Sequence, residues 1–283
     1  MFGFLNVYKP QGKTSHDIVA ILRRITKIKQ IGHTGTLDPF AEGVLPICIG
    51  KATRLIEYLE DDKAYIGTVQ LGKSTTTYDT EGEGVNFSDK KVTLEEIEKA
   101  LPNFRGEIKQ IPPIYSAIKV NGKKLYEYAR KGEDVKIEPR DVNIYKLDIV
   151  SFDEENQTLE LHIECSKGTY IRSIAHDLGE ALGCWGHLIK LVRIQAGKFT
   201  VEKAIPLEEL ETTEQVVENL IYPIEYLNYP KYELNPLEKE KVSHGMAINV
   251  DKADGIIILT EQSKLVAVAN IENKKAKISK VFI

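Results

Sequence analysis

At 283 residues, with 42% hydrophobic and 28% charged side chains, the chain has room for one substantial domain and a small appendage. No apolar run approaches the roughly 18 to 20 residues that cross a bilayer, and the first residues lack the pattern of an export signal, so the expected location is the cytoplasm. A formal net charge of −4 argues, taken whole, against a nucleic-acid partner, and three widely spaced cysteines (Cys48, Cys165, Cys184) suit neither a disulfide framework nor a four-ligand zinc site.

The charge is unevenly distributed. Met1 to Thr36 carries six basic residues against Asp17 alone, a balance of +5. Within it, Thr14 and Ser15 are N-cap residues ahead of an apolar stripe at Ile18, Leu22, Ile25 and Ile28, which predicts a first helix showing Arg23 and Arg24 on its outer side. IGHTGTLDPFAEG follows as a loop of glycines, threonines and a proline, and VLPICIG after it reads as a buried strand. KAYIGTVQLG alternates as a strand, and Thr93 with Glu96 forms a capping box before Leu94, Ile97 and Leu101.

IPPIYSAIKVNGKKLYEYARKGEDVKIEPR, residues 111–140, resembles an inserted arm, with paired prolines, a turn at Asn121-Gly122 and interleaved bases and tyrosines. Its Ile118 to Arg140 portion holds seven basic and four acidic residues, a balance of +3. Strands are expected at Val142 to Phe152, Leu159 to Cys165 and His187 to Ile194, and a helix from about Tyr170 to Leu182. Ala204 to Tyr226 carries six glutamates and no base. From Pro230 on, short β-rich runs separated by turns (GIIILT, KLVAVANI, KISKVFI) suggest a small β domain. Strands outnumber helices without strict alternation, so the expected fold class is α+β, with a mixed, largely antiparallel sheet.

The segment GHTGTLDPFAEGVLP resembles the TruB family of pseudouridine synthases. The likeness continues through KPQGKTSHDIV, KAYIGTVQLG, PPIYSAIKVNGKKLYEYARKG, KGTYIRSIAHDLG and HLIKLVRIQAGKF, blocks in the family's order over nearly all of the first 200 residues. It implies a catalytic domain over residues 1–229, a thumb inserted at about 112–140, and a PUA-like RNA-binding domain over 230–283. It also implies an activity: isomerisation of uridine 55 in the tRNA T loop to pseudouridine, on a base flipped from its stack, with no cofactor and no metal.

Asp38 matches the family's catalytic aspartate, Arg172 the arginine that pairs with it, and Tyr65 the tyrosine that stacks on the base. His33 matches the histidine that occupies the vacated stack, and Leu191 an apolar residue of the site's floor. A basic, aromatic arm suits RNA, and Lys119, Lys123, Lys124 and Arg130 are its expected contacts. KVSHGMAI resembles the PUA pattern and would touch the acceptor side of the tRNA. The implied enzyme is a monomer with no obligatory protein partner. Two other readings share these features. A tRNA-binding or folding module would have no need of Asp38 and Arg172, and a guide-RNA-dependent synthase of the archaeal and eukaryotic branch would carry a reduced thumb.

Overall fold

The computed structural model describes residues 1–283. Its strands, in chain order, begin with β1 (Gly3–Lys9), β2 (Ile31–His33), β3 (Glu42–Ile49), β4 (Lys63–Leu71), β5 (Lys73–Thr75), β6 (Gly84–Phe87) and β7 (Gly106–Gln110). They continue with β8 (Lys119–Val120), β9 (Lys123–Lys124), β10 (Arg140–Asp153), β11 (Thr158–Cys165), β12 (Gly186–Ala196), β13 (Phe199–Thr200) and β14 (Ile205–Pro206). The last are β15 (Lys231–Glu233), β16 (Ile248–Asn249), β17 (Gly255–Glu261), β18 (Lys264–Glu272) and β19 (Lys275–Val281). The helices are α1 (Ser15–Thr26), α2 (Leu94–Ala100), α3 (Leu125–Lys131), α4 (Ile171–Ala181), α5 (Thr213–Glu218) and α6 (Pro236–Ser243).

The large sheet runs β14-β1-β3-β12-β4-β11-β10-β7, with β2 beside β3 and β13 beside β12. Only the β1–β14 and β3–β12 pairs are parallel, so the sheet is mixed and largely antiparallel, as expected. Alternation along β1 and β3 divides their side chains between two cores. Leu5, Val7, Leu45, Ile47 and Ile49 face the helices, packing with Ile18 and Leu22 of α1 and Ile174 and Leu178 of α4. Phe4, Val44 and Cys48 face the other way and join Ile258, Leu265 and Val268 of the small sheet, with Phe282 just after it, in one apolar cluster. All three cysteines are buried and unpaired.

The small sheet, β15-β17-β18-β19-β16, is the expected C-terminal β unit. The 3-10 helix Gly50–Tyr58 ties it down: Arg54 donates to Val281 O at 2.9 Å, Lys51 to Ile283 O at 2.9 Å, and Glu57 pairs with Lys280. No helix is long and apolar enough to cross a membrane.

Several elements depart from the sequence reading. The first helix stops at Thr26, because Lys27 adopts a left-handed conformation (φ 58°), and Ile28 packs on the core from outside it. The arm contains a helix, α3, beside the β8–β9 hairpin, and the C-terminal unit holds α6, opened by an Asn235–Glu238 capping box.

Candidate active site

Asp38 sits in the loop between β2 and β3, and the sequence pins that loop from several sides. The buried Ser15 hydroxyl accepts from Leu37 N at 2.8 Å and donates to Leu37 O at 3.1 Å. Lys9, with no exposed surface, donates from Nζ to Pro10 O, Lys13 O and Pro39 O at 2.9, 2.7 and 3.3 Å. Burial pushes the Lys9 ammonium down to about 8, although Asp38 pulls it the other way. Asp38 is thus held between fixed neighbours and keeps a third of its side chain open to the cavity.

Facing it is Arg172, in the first turn of α4. Its Nε lies 2.9 Å from Asp38 Oδ2, outside hydrogen-bond alignment, and its Nη2 donates to Asp38 Oδ1 at 3.2 Å. Nη1 reaches Asp79 Oδ2 at 3.3 Å and Thr77 O at 3.1 Å, while Nη2 also donates to Tyr115 O at 3.1 Å. A cation here stands at the unfavourable end of the helix dipole, and two carboxylates offset that cost. The guanidinium is shared between two carboxylates, with the Lys9 ammonium acting on Asp38 from the other side. Burial raises the Asp38 carboxyl above the ordinary aspartate range and Asp79 adds to the rise, while Arg172 opposes both.

Asp79 is 1% exposed, in a loop of threonines after β5. Its Oδ1 accepts from the Thr77 hydroxyl and from Glu81 N at 2.9 Å, and Thr75 Oγ1 donates to its carbonyl at 2.7 Å. Tyr78 takes φ 63° to make the turn and lies flat on His176 of α4, centroids 3.8 Å apart.

Around the pair lies a cavity of about 330 Å³, lined by Asp38, Arg172, Tyr65, Tyr170, Leu191, Ser116 and their neighbours. That is the low end of the roughly 300 to 1,000 Å³ of small-ligand sites, room for one nucleoside and not for a folded strand. Tyr65 is buried, and burial pushes its phenol up to about 12. Tyr170, its neighbour in the lining, is also shifted upward by burial. It is fixed by Gln110, whose side chain accepts from Tyr170 N at 2.7 Å and donates to Tyr170 O at 3.0 Å.

The fold therefore brings together Asp38, Tyr65, Arg172 and Leu191. His33 lies on β2 just outside the lining, its Nδ1 buried without a partner, and burial lowers its imidazole so that the ring is neutral at pH 7. Lys119, Lys123, Lys124 and Arg130 are not at the cavity. They lie out on the arm, where Lys123 stacks over Tyr128, and Lys124 and Arg130 over Tyr126. The arm meets the cavity only at its root, through Tyr115, Ser116 and Ala117. His176, Asp177 and Glu180 form an acidic cluster away from this lining.

Sequence reasoning did not single out Asp79, Tyr170 or Lys9. The one signal for Asp79 was its run of flanking threonines in TTTYDTEG, a composition that favours side-chain-closed turns. The buried Lys9 gave none, since nothing local distinguishes it from a surface lysine.

Residues 23–171 match the TruB family pseudouridylate synthase N-terminal domain, and residues 172–227 match the tRNA pseudouridylate synthase B C-terminal domain. Proteins named tRNA pseudouridine synthase B from Clostridium novyi and Streptococcus mutans are each 42% identical, over 100% of both chains and 99% of both chains respectively. Among solved structures, one from the crystal structure of a Cbf5-Nop10-Gar1 complex superposes with TM-score 0.75 at 26% identity, covering 100% of this chain and 85% of its own. Arrangement of the site, fold and full-length likeness lead to one assignment: the chain belongs to the TruB family of pseudouridylate synthases.

Proposed function

We propose that this chain is a stand-alone tRNA pseudouridine synthase that isomerises uridine 55 of the T loop, with Asp38 as the essential carboxylate. The reaction breaks the N1–C1′ bond, turns the uracil in place, joins C5 to C1′ and moves the C5 proton off the ring while N1 gains one. Nothing is oxidised or reduced, and no external group is consumed. A carboxylate in a secluded cavity, its charged form favoured by a neighbouring cation against the effect of burial, suits this, as nucleophile or as base.

The observation that carries the proposal is the Asp38–Arg172–Asp79 ion-pair chain, set in a one-nucleoside cavity beside Tyr65 and Leu191. A module that only bound tRNA would have no use for a cation shared by two carboxylates there. The cavity's size requires the target base to leave its stack, and His33, neutral and at the rim, is suited to fill the gap. Residues 1–229 are proposed as the catalytic domain and 230–283 as a PUA-like domain touching the acceptor side. The arm at about 112–140 would grip the T loop through its bases and tyrosines. Support for tRNA as substrate comes from the relatives' names.

The test is Asp38→Asn, assayed by carbodiimide and primer-extension mapping of a T-arm transcript. The expected outcome is no pseudouridine with RNA binding retained, because affinity comes from backbone charge and stacking elsewhere. Turnover near the wild-type rate removes the assignment.

A further inference from the structure

The largest side chain without any exposed surface is not apolar. It is Arg193, on β12, the cross-strand neighbour of Tyr65 on β4 and of Gly43 on β3. No carboxylate forms an ion pair with it. Nε donates to Val44 O at 2.7 Å, Nη2 to Gly35 O at 3.1 Å and Nη1 to Thr36 O at 3.4 Å. Burying a guanidinium with no carboxylate partner is costly, and three main-chain carbonyls are its principal compensation.

Two of those carbonyls belong to the loop that leads into Asp38, and the third to the strand that leaves it. Between Ile31 and Leu37 this loop has no buried apolar side chain of its own. Ser15 holds Leu37 and Lys9 holds Pro39, and without Arg193 no side chain would grip Gly35 or Thr36. The packing beneath is close: a Cβ on Gly43 would stand 2.3 Å from Arg193 O, so β3 and β12 touch at the point where the guanidinium turns toward the loop. The same guanidinium favours the charged form of the neighbouring Tyr65 phenol, against the effect of burial.

We infer that Arg193 is a positioning residue for the reaction: from beneath the cavity its fork fixes the main chain before Asp38 and places a permanent positive charge behind Tyr65. The inference rests on the role proposed above for Asp38. Lysine keeps the charge but cannot span all three carbonyls. Methionine keeps much of the volume and loses both.

The experiment measures single-turnover pseudouridine formation at saturating T-arm RNA, RNA Kd, and amide hydrogen exchange over residues 34–38 in the free protein, for Arg193→Met and Arg193→Lys. Arg193→Met is expected to slow turnover about 100-fold, the scale of an ångström-level misplacement. Its Kd should stay within about threefold of wild type, since no phosphate contact is touched. Arg193→Lys should recover about tenfold of that loss, and exchange in the loop should rise about tenfold in the Met variant as the grip is released.

A Met variant that turns over within about threefold of wild type overturns the inference. So does one whose rate and RNA affinity fall together with its folded fraction, which is a structural effect alone. If the Met variant does not fold, Arg193→Lys decides: slowed turnover at full RNA occupancy supports the inference, and wild-type speed overturns it. Loop exchange is read without chemistry. A wild-type protein that makes no pseudouridine therefore sinks the reading of Asp38, while unchanged exchange in the variants sinks that of Arg193.

Discussion

Replacing Asp79 with Asn tests whether the ion-pair chain is a working unit. In wild type, Asp79 Oδ1 accepts from Thr77 and Glu81 N, and Oδ2 faces Arg172 Nη1 at 3.3 Å. An asparagine that keeps its oxygen on the first side must turn its NH2 toward the guanidinium, donor against donor. Losing one partner of a buried pair costs about 3 to 5 kcal/mol, and since Arg172 keeps Asp38 the lower end, about 3 kcal/mol, is expected. At roughly 2 to 4 °C per kcal/mol for a chain of this size, the melting temperature should fall by about 6 to 12 °C.

The same substitution has a second, opposite-looking signature. Asp79 is one of the charges holding the Asp38 carboxyl up, and without it Arg172 and Lys9 pull that carboxyl down. If turnover needs ionised Asp38, the rate rises with pH through the Asp38 transition. In Asp79→Asn that acid limb must move to lower pH, even though the plateau drops through misalignment. Urea or thermal melts and a single-turnover pH profile measure both effects. An unchanged melt, or an acid limb that moves upward, refutes the reasoning.

Three further outcomes are expected. Reversing the charges of Lys123, Lys124 and Arg130 should lower the slope of log affinity against log salt by about 0.7 to 0.9 for each lost phosphate contact, and an unchanged slope removes the arm from the interface. Gly43→Ala combines φ +105° with a 2.3 Å overlap on Arg193 O, so it should cost about 2 to 6 kcal/mol, visible as lost soluble protein or a depressed melt. Turnover should persist in EDTA, because the rearrangement needs no Lewis acid; loss on chelation with recovery on zinc would contradict this.

What could be read from the chain before its structure was local. The Thr14 and Thr93 N-caps, the alternation of β4 and β11, and the stripe of α1 act within a few residues, and the structure shows each. β1 gives no periodic signal because GFLNVYK is buried on both faces, and its buried Asn6 donates from Nδ2 to Thr200 O, from the far end of the domain. α3 and α6 escaped because each buries a single side chain, Leu125 and Val242, leaving no stripe to see. Asp38 and Arg172 are singled out by motif resemblance, and the structure pairs them. Asp79 and Arg193 reach the site only when the loops close, and no spacing in the sequence announces that.

The apolar cluster joining the two sheets has a mechanical consequence. Phe4 and Val44 on one side and Val268 and Phe282 on the other share a single core, and Arg54, Lys51 and Glu57 fasten its edge, so there is no linker about which the small sheet could swing. The protein is in effect a gauge with fixed jaws. On the function proposed above, an RNA that touches the small sheet while feeding one nucleotide to Asp38 would itself have to supply the right separation between those points. Selection among RNAs can then begin with length and shape, before any base is read.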